Sequence, residues 1–106
     1  MPLPVRRPCV IVYETNPSLL DLRSMFLRGH GYDVEAVSSS IDLMDELRNE
    51  EHPFELLFIS NTVSTAGRVT AQEVASTLGI PIYQLWEGIS PDEWLQELSK
   101  LLHTER

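Results

Sequence analysis

Four strand-like segments, each followed by a helix-like stretch, recur along this chain with an almost constant step. That rhythm restricts the fold more than any other feature. The segments begin near Cys9, Asp33, Glu55 and Ile80, at intervals of 24, 22 and 25 residues. Each interval holds one strand, one helix and two short loops. Strands alternating with helices at this spacing build βαβ units, hence a parallel sheet with helices on both faces. No sequence repeat accompanies the rhythm. A chain of 106 residues is the size of one domain, and it buries roughly two-thirds of its unfolded surface on folding. Residues 9–106 are expected to form that domain. Residues 1–8, rich in proline, are expected to form a poorly ordered arm.

The segments differ in ways that set their places in the sheet. Cys9-Val10-Ile11-Val12-Tyr13 and Glu55-Leu56-Leu57-Phe58-Ile59 are almost continuously apolar, as central strands covered on both faces must be. Asp33-Val34-Glu35-Ala36-Val37 alternates, and its charges suit an edge. Ile80 to Trp86 carries no charge but includes Pro81, which belongs at an edge or a strand start.

Helix starts are marked by capping residues. Asn16-Pro17 supplies an N-cap and a first-turn proline. Leu19, Leu20, Leu22, Phe26 and Leu27 would then form the apolar side of the first helix, ended by Gly29 or Gly31. The second helix begins in Ser38-Ser39-Ser40 and buries Leu43, Met44 and Leu47. Thr70 and Glu73 form a capping-box pattern for the third, with Val69 and Val74 as a hydrophobic staple. Ser90-Pro91-Asp92-Glu93 repeats the design for the fourth, with Ile89 and Trp94 as its staple. Leu95, Leu98, Leu101 and Leu102 continue that helix's apolar face.

Charge and composition exclude several functions. The formal net charge is −8, and the only adjacent basic pair is Arg6-Arg7. Nucleic acid and anionic membrane surfaces both require clustered cations, so neither is an expected partner. No apolar run approaches the length of a membrane span. The apolar run after Arg6-Arg7 is too short for a secretory signal, and a cytoplasmic location is expected. Cys9 is the single cysteine, which rules out an internal disulfide or a cysteine cluster, and it reads as a buried, inert thiol. His30, His52 and His103 lack metal-ligand spacing. No cofactor and no metal are expected. The segment Ser60 to Arg68 reads as a polar surface loop. It lacks the glycines and the lysine of a phosphate-binding loop.

Chemistry in open α/β sheets gathers outside the carboxyl ends of the strands. Glu14 and Thr15 follow the first strand, and Ser60 follows the third. A reactive site of this type would be expected to hold several carboxylates. This one offers a single carboxylate beside two hydroxyls.

The order of these features resembles a response-regulator receiver domain. The resemblance is carried by Val10 to Pro17, by Gly29-His30-Gly31-Tyr32-Asp33-Val34, by Phe54 to Ile59, by Ile80-Pro81-Ile82 and by Gly88 to Leu95. In receivers an acidic pair after the first strand holds Mg²⁺, and an aspartate after the third accepts the phosphoryl group. A Thr or Ser ends the fourth strand and a Lys ends the fifth. By that resemblance Glu14 matches the first acid, Thr15 replaces the second and Ser60 replaces the acceptor. Trp86 and Glu87 fall where the later residues are sought. The resemblance therefore implies a degenerate phosphoacceptor pocket of Glu14, Thr15, Ser60, Trp86 and Glu87, with no catalytic residue. A serine hydroxyl needs a positioned base to act as a nucleophile, and nothing near Ser60 in sequence supplies one. A lone carboxylate holds Mg²⁺ weakly, and without a cation Glu14 and Glu87 would repel each other if both lie at the strand ends.

Receivers have five strands in the order 2-1-3-4-5, and this chain is one βα unit short. The expected fold is a flavodoxin-like, receiver-like three-layer sandwich truncated to four parallel strands in the order 2-1-3-4. Loss of a unit would uncover strand four, so Tyr83, Leu85 and Trp86 are the expected partner interface. The function implied is a non-catalytic signalling module that acts by protein–protein contact, independently of aspartyl phosphorylation. Its partner would be a sensor kinase, an output domain, a regulator or a second copy in a homodimer. The alternative is a small ligand-binding or enzymatic α/β domain using Glu14, Thr15, Ser60 and the Asn61–Gly67 loop as its pocket.

Overall fold

The computed structural model describes residues 7–48, 54–85 and 88–103. The elements run β1 (Cys9–Tyr13), α1 (Pro17–Gly29), β2 (Asp33–Val37), α2 (Ser40–Leu47), β3 (Leu56–Ile59), α3 (Thr65–Leu78), β4 (Ile82–Gln84) and α4 (Pro91–His103). The four strands form one parallel sheet in the order β2-β1-β3-β4. The parallel sheet expected from the strand–helix rhythm, and the four-strand order implied by the receiver resemblance, are the ones observed. Most of residues 1–8, expected to be a disordered arm, lies outside the described residues.

Two apolar layers flank the sheet because side chains alternate across it. Ile11, Tyr13, Leu57 and Ile59 face α2 and α3, where they meet Leu43, Leu47, Ala71 and Ala75. Val10, Val12, Leu56, Phe58 and Tyr83 face α1 and α4, where they meet Leu27, Trp94 and Leu98. Trp94 packs edge-on against Phe58 and Phe26, with ring centroids 5.1 Å apart in both pairs. β1 and β3 are buried on both faces, whereas β2 is largely exposed. The central and edge assignments read from hydropathy hold. Cys9 is only half-buried at the strand start, and burial followed by the charges of Asp33, Glu55 and Glu35 raises its thiol pKa.

The caps hold for three helices and move for one. Asn16 accepts from the backbone N–H of Ser18 and Leu19, Ser39 from Asp42, and Ser90 from Glu93. α3, however, starts at Thr65 behind Ser64, whose hydroxyl accepts from the Gly67 N–H at 3.1 Å. Thr70 is thus inside the helix, and its hydroxyl donates to the Ala66 carbonyl at 3.0 Å. The supposed loop from Ser60 to Arg68 is half helix. Its small and polar residues mimic a loop, but Ser64 supplies a stronger local start than Thr70. On α1, Leu22 is 63% exposed, so the apolar side is narrower than expected. α3 ends at Gly79 in the left-handed region (φ 71°), where the Ile80 N–H returns to the Ala75 carbonyl.

Candidate functional site

In the β1–β3 register Tyr13 lies beside Ile59, so the next residues, Glu14 and Ser60, meet at the carboxyl end of the sheet. Backbone bonds fix both positions. The Glu14 N–H donates to the Val37 carbonyl at 3.1 Å and the Ser60 N–H to the Tyr13 carbonyl at 2.9 Å. Both residues are fully buried.

A buried carboxylate requires charge or hydrogen-bond partners, and Glu14 has four. The Ser60 hydroxyl donates to its Oε1 at 2.7 Å. The Asn16 N–H donates to its Oε2 at 3.1 Å. The Thr62 hydroxyl also donates to Oε2. Arg23 reaches back from α1, and its Nη1 contacts both Glu14 Oε1 and the Ser60 hydroxyl oxygen. Thr15 ties the two loops together by donating to the Thr62 carbonyl at 3.2 Å. The Thr62 N–H donates to the Ser60 hydroxyl oxygen at 3.3 Å, and Asn61 Oδ1 lies 3.3 Å from that oxygen.

Each carboxylate oxygen of Glu14 thus has two partners, which fills the roughly four acceptor sites of the group. Burial lowers the Arg23 pKa, and the Glu14 charge opposes that fall. A guanidinium starts so far above neutral pH that Arg23 stays charged. The Mg²⁺ implied by the receiver resemblance does not fit these residues. Mg²⁺ asks for octahedral oxygen donors, usually more than one of them anionic. The single carboxylate here is saturated, and a fixed cation already stands beside it. Among the described residues no group of three or more His, Cys, Asp or Glu is placed to hold a metal.

Three of the five expected pocket residues, Glu14, Thr15 and Ser60, come together, while Trp86 and Glu87 lie outside the described residues. Arg23 supplies the cation beside Glu14 that the sequence reading did not name. No base lies near Ser60 in sequence, but its hydroxyl donates to a carboxylate 46 residues away. That carboxylate is fixed in an ion pair and sealed from solvent. Of the three expected interface residues, Trp86 lies outside the described residues. Tyr83 and Leu85 are each 5% exposed. They fill the α1–α4 layer with Trp94 and Leu98, because α4 folds back over β4. Arg23 went unread in the sequence, and Thr62 entered only as part of the Asn61–Gly67 loop. Arg23 lies on the Leu19–Phe26 face of α1, and a cation on that face was the available signal. Thr62 gave none.

The sequence matches no protein-family model. It matches no curated protein either. Solved structures supply the likeness. A CheY-like response regulator receiver domain from Methylobacillus flagellatus superposes with a TM-score of 0.69 at 12% identity, over 91% of this chain and 99% of that one. Chemotaxis protein CheY4 of Vibrio cholerae gives 0.64 at 13% identity, over 91% and 99%. A designed Rossmann 2x2 protein gives 0.62 at 16% identity, over 89% and 87%. The class defined is the CheY-like receiver fold. A designed protein fits nearly as well as natural receivers, so the likeness concerns architecture and leaves the chemistry to the site.

Proposed function

We propose that this chain, with residues 9–106 as its single domain, is a receiver-like signalling module that acts by protein–protein contact. It does not take a phosphoryl group on aspartate and is not an enzyme. The observation that supports this reading is the network of Arg23, Glu14, Ser60 and Thr62. It fills the mouth of the sheet where receivers hold a metal and an acceptor aspartate. A serine stands at the acceptor position, and its oxygen is buried against a guanidinium. The one carboxylate has no free lone pair. The partners that suit such a module are a sensor kinase, an output domain or another regulator, within two-component signalling in the cytoplasm. The homodimer expected through Tyr83, Leu85 and Trp86 loses support because Tyr83 and Leu85 are buried within the domain. The rival reading as a ligand-binding or enzymatic pocket needs accessible groups at the strand ends, and Glu14 and Ser60 are both 0% exposed.

Incubation with acetyl phosphate and Mg²⁺, and separately with beryllofluoride and Mg²⁺, tests the proposal. Intact-mass and amide-shift measurements are expected to show no added phosphoryl group and no movement of the Glu14, Ser60 and Asn61 amides. A mass gain removed by Ser60→Ala, or saturable shifts at those amides, would overturn it.

A further inference from the structure

We propose that the outer edge of β4 is a docking site for an extended segment of a partner protein, with apolar and basic residues on both of its faces, that joins the sheet as a fifth strand. The inference does not depend on whether the sheet mouth can be phosphorylated.

β4 pairs with β3 on one side only. The backbone of Pro81 and Leu85 faces β3: the Leu57 N–H donates to the Pro81 carbonyl and the Leu85 N–H to the Ile59 carbonyl, both at 2.9 Å. In a parallel ladder alternate residues turn their backbone groups to opposite sides. Ile82 and Gln84 therefore direct N–H and C=O outward. Among the described residues, none bonds to those outward groups. Pro81 belongs to the inward-facing set, so its missing N–H removes no donor from the open side.

The two edges of the sheet are treated differently. β2 carries Asp33 and Glu35, both exposed, a common protection against strand addition. β4 has no charge. Beyond it, grooves open on both faces of the strand. On the α3 side a groove of about 1000 Å³ is bordered by Ile82, Gln84, Gln72 and Glu73. On the α4 side a cavity of about 310 Å³ is lined by Tyr83, Glu97, Lys100 and Leu101. An added strand sends alternate side chains to opposite faces and requires such a pair of recesses. The Tyr83 hydroxyl is buried close to the Glu97 carboxylate but makes no well-formed hydrogen bond.

Charge selects the occupant. Glu73 stands on one side of the strand, and Glu97 lines the other with Glu93 within electrostatic reach of Tyr83. Lys100 is the one cation lining either groove among the described residues. A second copy would bring the same acidic groups and a further charge of −8 against this edge, and like charges set opposite each other disfavour association. A strand bearing Lys or Arg beside apolar residues complements it.

The test uses two synthetic heptapeptides, Val-Val-Lys-Lys-Val-Val-Lys and Val-Val-Glu-Glu-Val-Val-Glu, whose doublets put charge on both faces of a strand, titrated into the full chain by amide NMR. The lysine peptide is expected to shift the Ile82 and Gln84 amides and slow their hydrogen exchange, leaving Asp33 and Glu35 unmoved. The glutamate peptide is expected to bind about tenfold more weakly. Glu73→Lys with Glu97→Lys is expected to reverse that preference. If the double variant does not fold, exposed Glu73→Lys alone is expected to narrow it. Three results would overturn the proposal: no β4 shift with either peptide, equal shifts at β2, or concentration-dependent shifts at Ile82 and Gln84 without peptide. The last would make a second copy the occupant.

Discussion

Arg23 and Glu14 form the contact on which the sheet mouth depends. A buried carboxylate without a partner is costly, and a buried pair broken on one side destabilises far more than a pair removed on both. Arg23→Met leaves the Glu14 charge buried with only hydroxyl and amide partners. It is expected to lower unfolding free energy by roughly 3 kcal/mol, the low end for a buried pair because Arg23 keeps 17% exposure. Glu14→Gln is expected to cost less, because the amide keeps an acceptor for Ser60 or Asn16. The double variant is expected to be more stable than the sum of the single losses implies. Urea unfolding of the four proteins measures this cycle, and strictly additive losses would show that the two side chains do not act as a pair. Glu14 and Ser60 were legible in sequence because strand ends are predictable from hydropathy. Arg23 was not, because a helix face shows that a cation turns inward without showing what it meets.

The strands and the caps of α1, α2 and α4 could be read locally, because each is fixed by residues within a few positions of itself. α3 could not. Two start signals compete there, Ser64 and Thr70, and the choice depends on tertiary contact. Gly67 shows the reason. A Cβ on it would lie 2.9 Å from Val63 Cγ1 and 3.0 Å from the Tyr13 hydroxyl, and Val63 and Tyr13 are both buried. The first turn of α3 presses on the end of β1, and glycine permits that approach. An exposed helical glycine changed to alanine normally gains up to about 1 kcal/mol. Here overpacking of about 1–3 kcal/mol opposes it. Gly67→Ala is therefore expected to destabilise by about 1 kcal/mol, with a lower melting temperature. Gly29, in the last turn of α1, has open space where a Cβ would stand, with nothing within 4 Å. Gly29→Ala is expected to be neutral or stabilising by about 0.5 kcal/mol. Equal effects at both positions would mean that α3 does not pack on β1 as described. β4 is also shorter than its apolar run suggested, three residues from Ile82 to Gln84, because pairing ends where β3 ends.

At the scale of the whole domain the strand order was legible because burial sorts strands into centre and edge. What closes over Tyr83 and Leu85 was not, since it depends on the path of α4. That closure has a consequence at alkaline pH. Burial, reinforced by Glu97 and Glu93, raises the Tyr83 pKa above its ordinary value of 10.0. Cys9, at the other end of the sheet, is raised above 9.0 by burial and by Asp33, Glu55 and Glu35. Both groups are neutral when protonated, so neither changes stability with pH below these ordinary values. As pH rises past 9.0 for the thiol and 10.0 for the phenol, the unfolded chain releases protons that the folded chain retains. Stability then falls with pH until the folded groups also ionise. A domain already carrying −8 gains no relief from further negative charge. Urea unfolding across a pH series should show this decline starting near pH 9 and steepening above 10. Cys9→Ser is expected to flatten its onset and Tyr83→Phe its steeper part. Tyr83→Phe should cost little at neutral pH, because it removes a buried hydroxyl that makes no well-formed hydrogen bond. Slopes identical to the parent in both variants would place the alkaline loss in other groups and would show that Tyr83 is open to water, against the packing of α4 over β4.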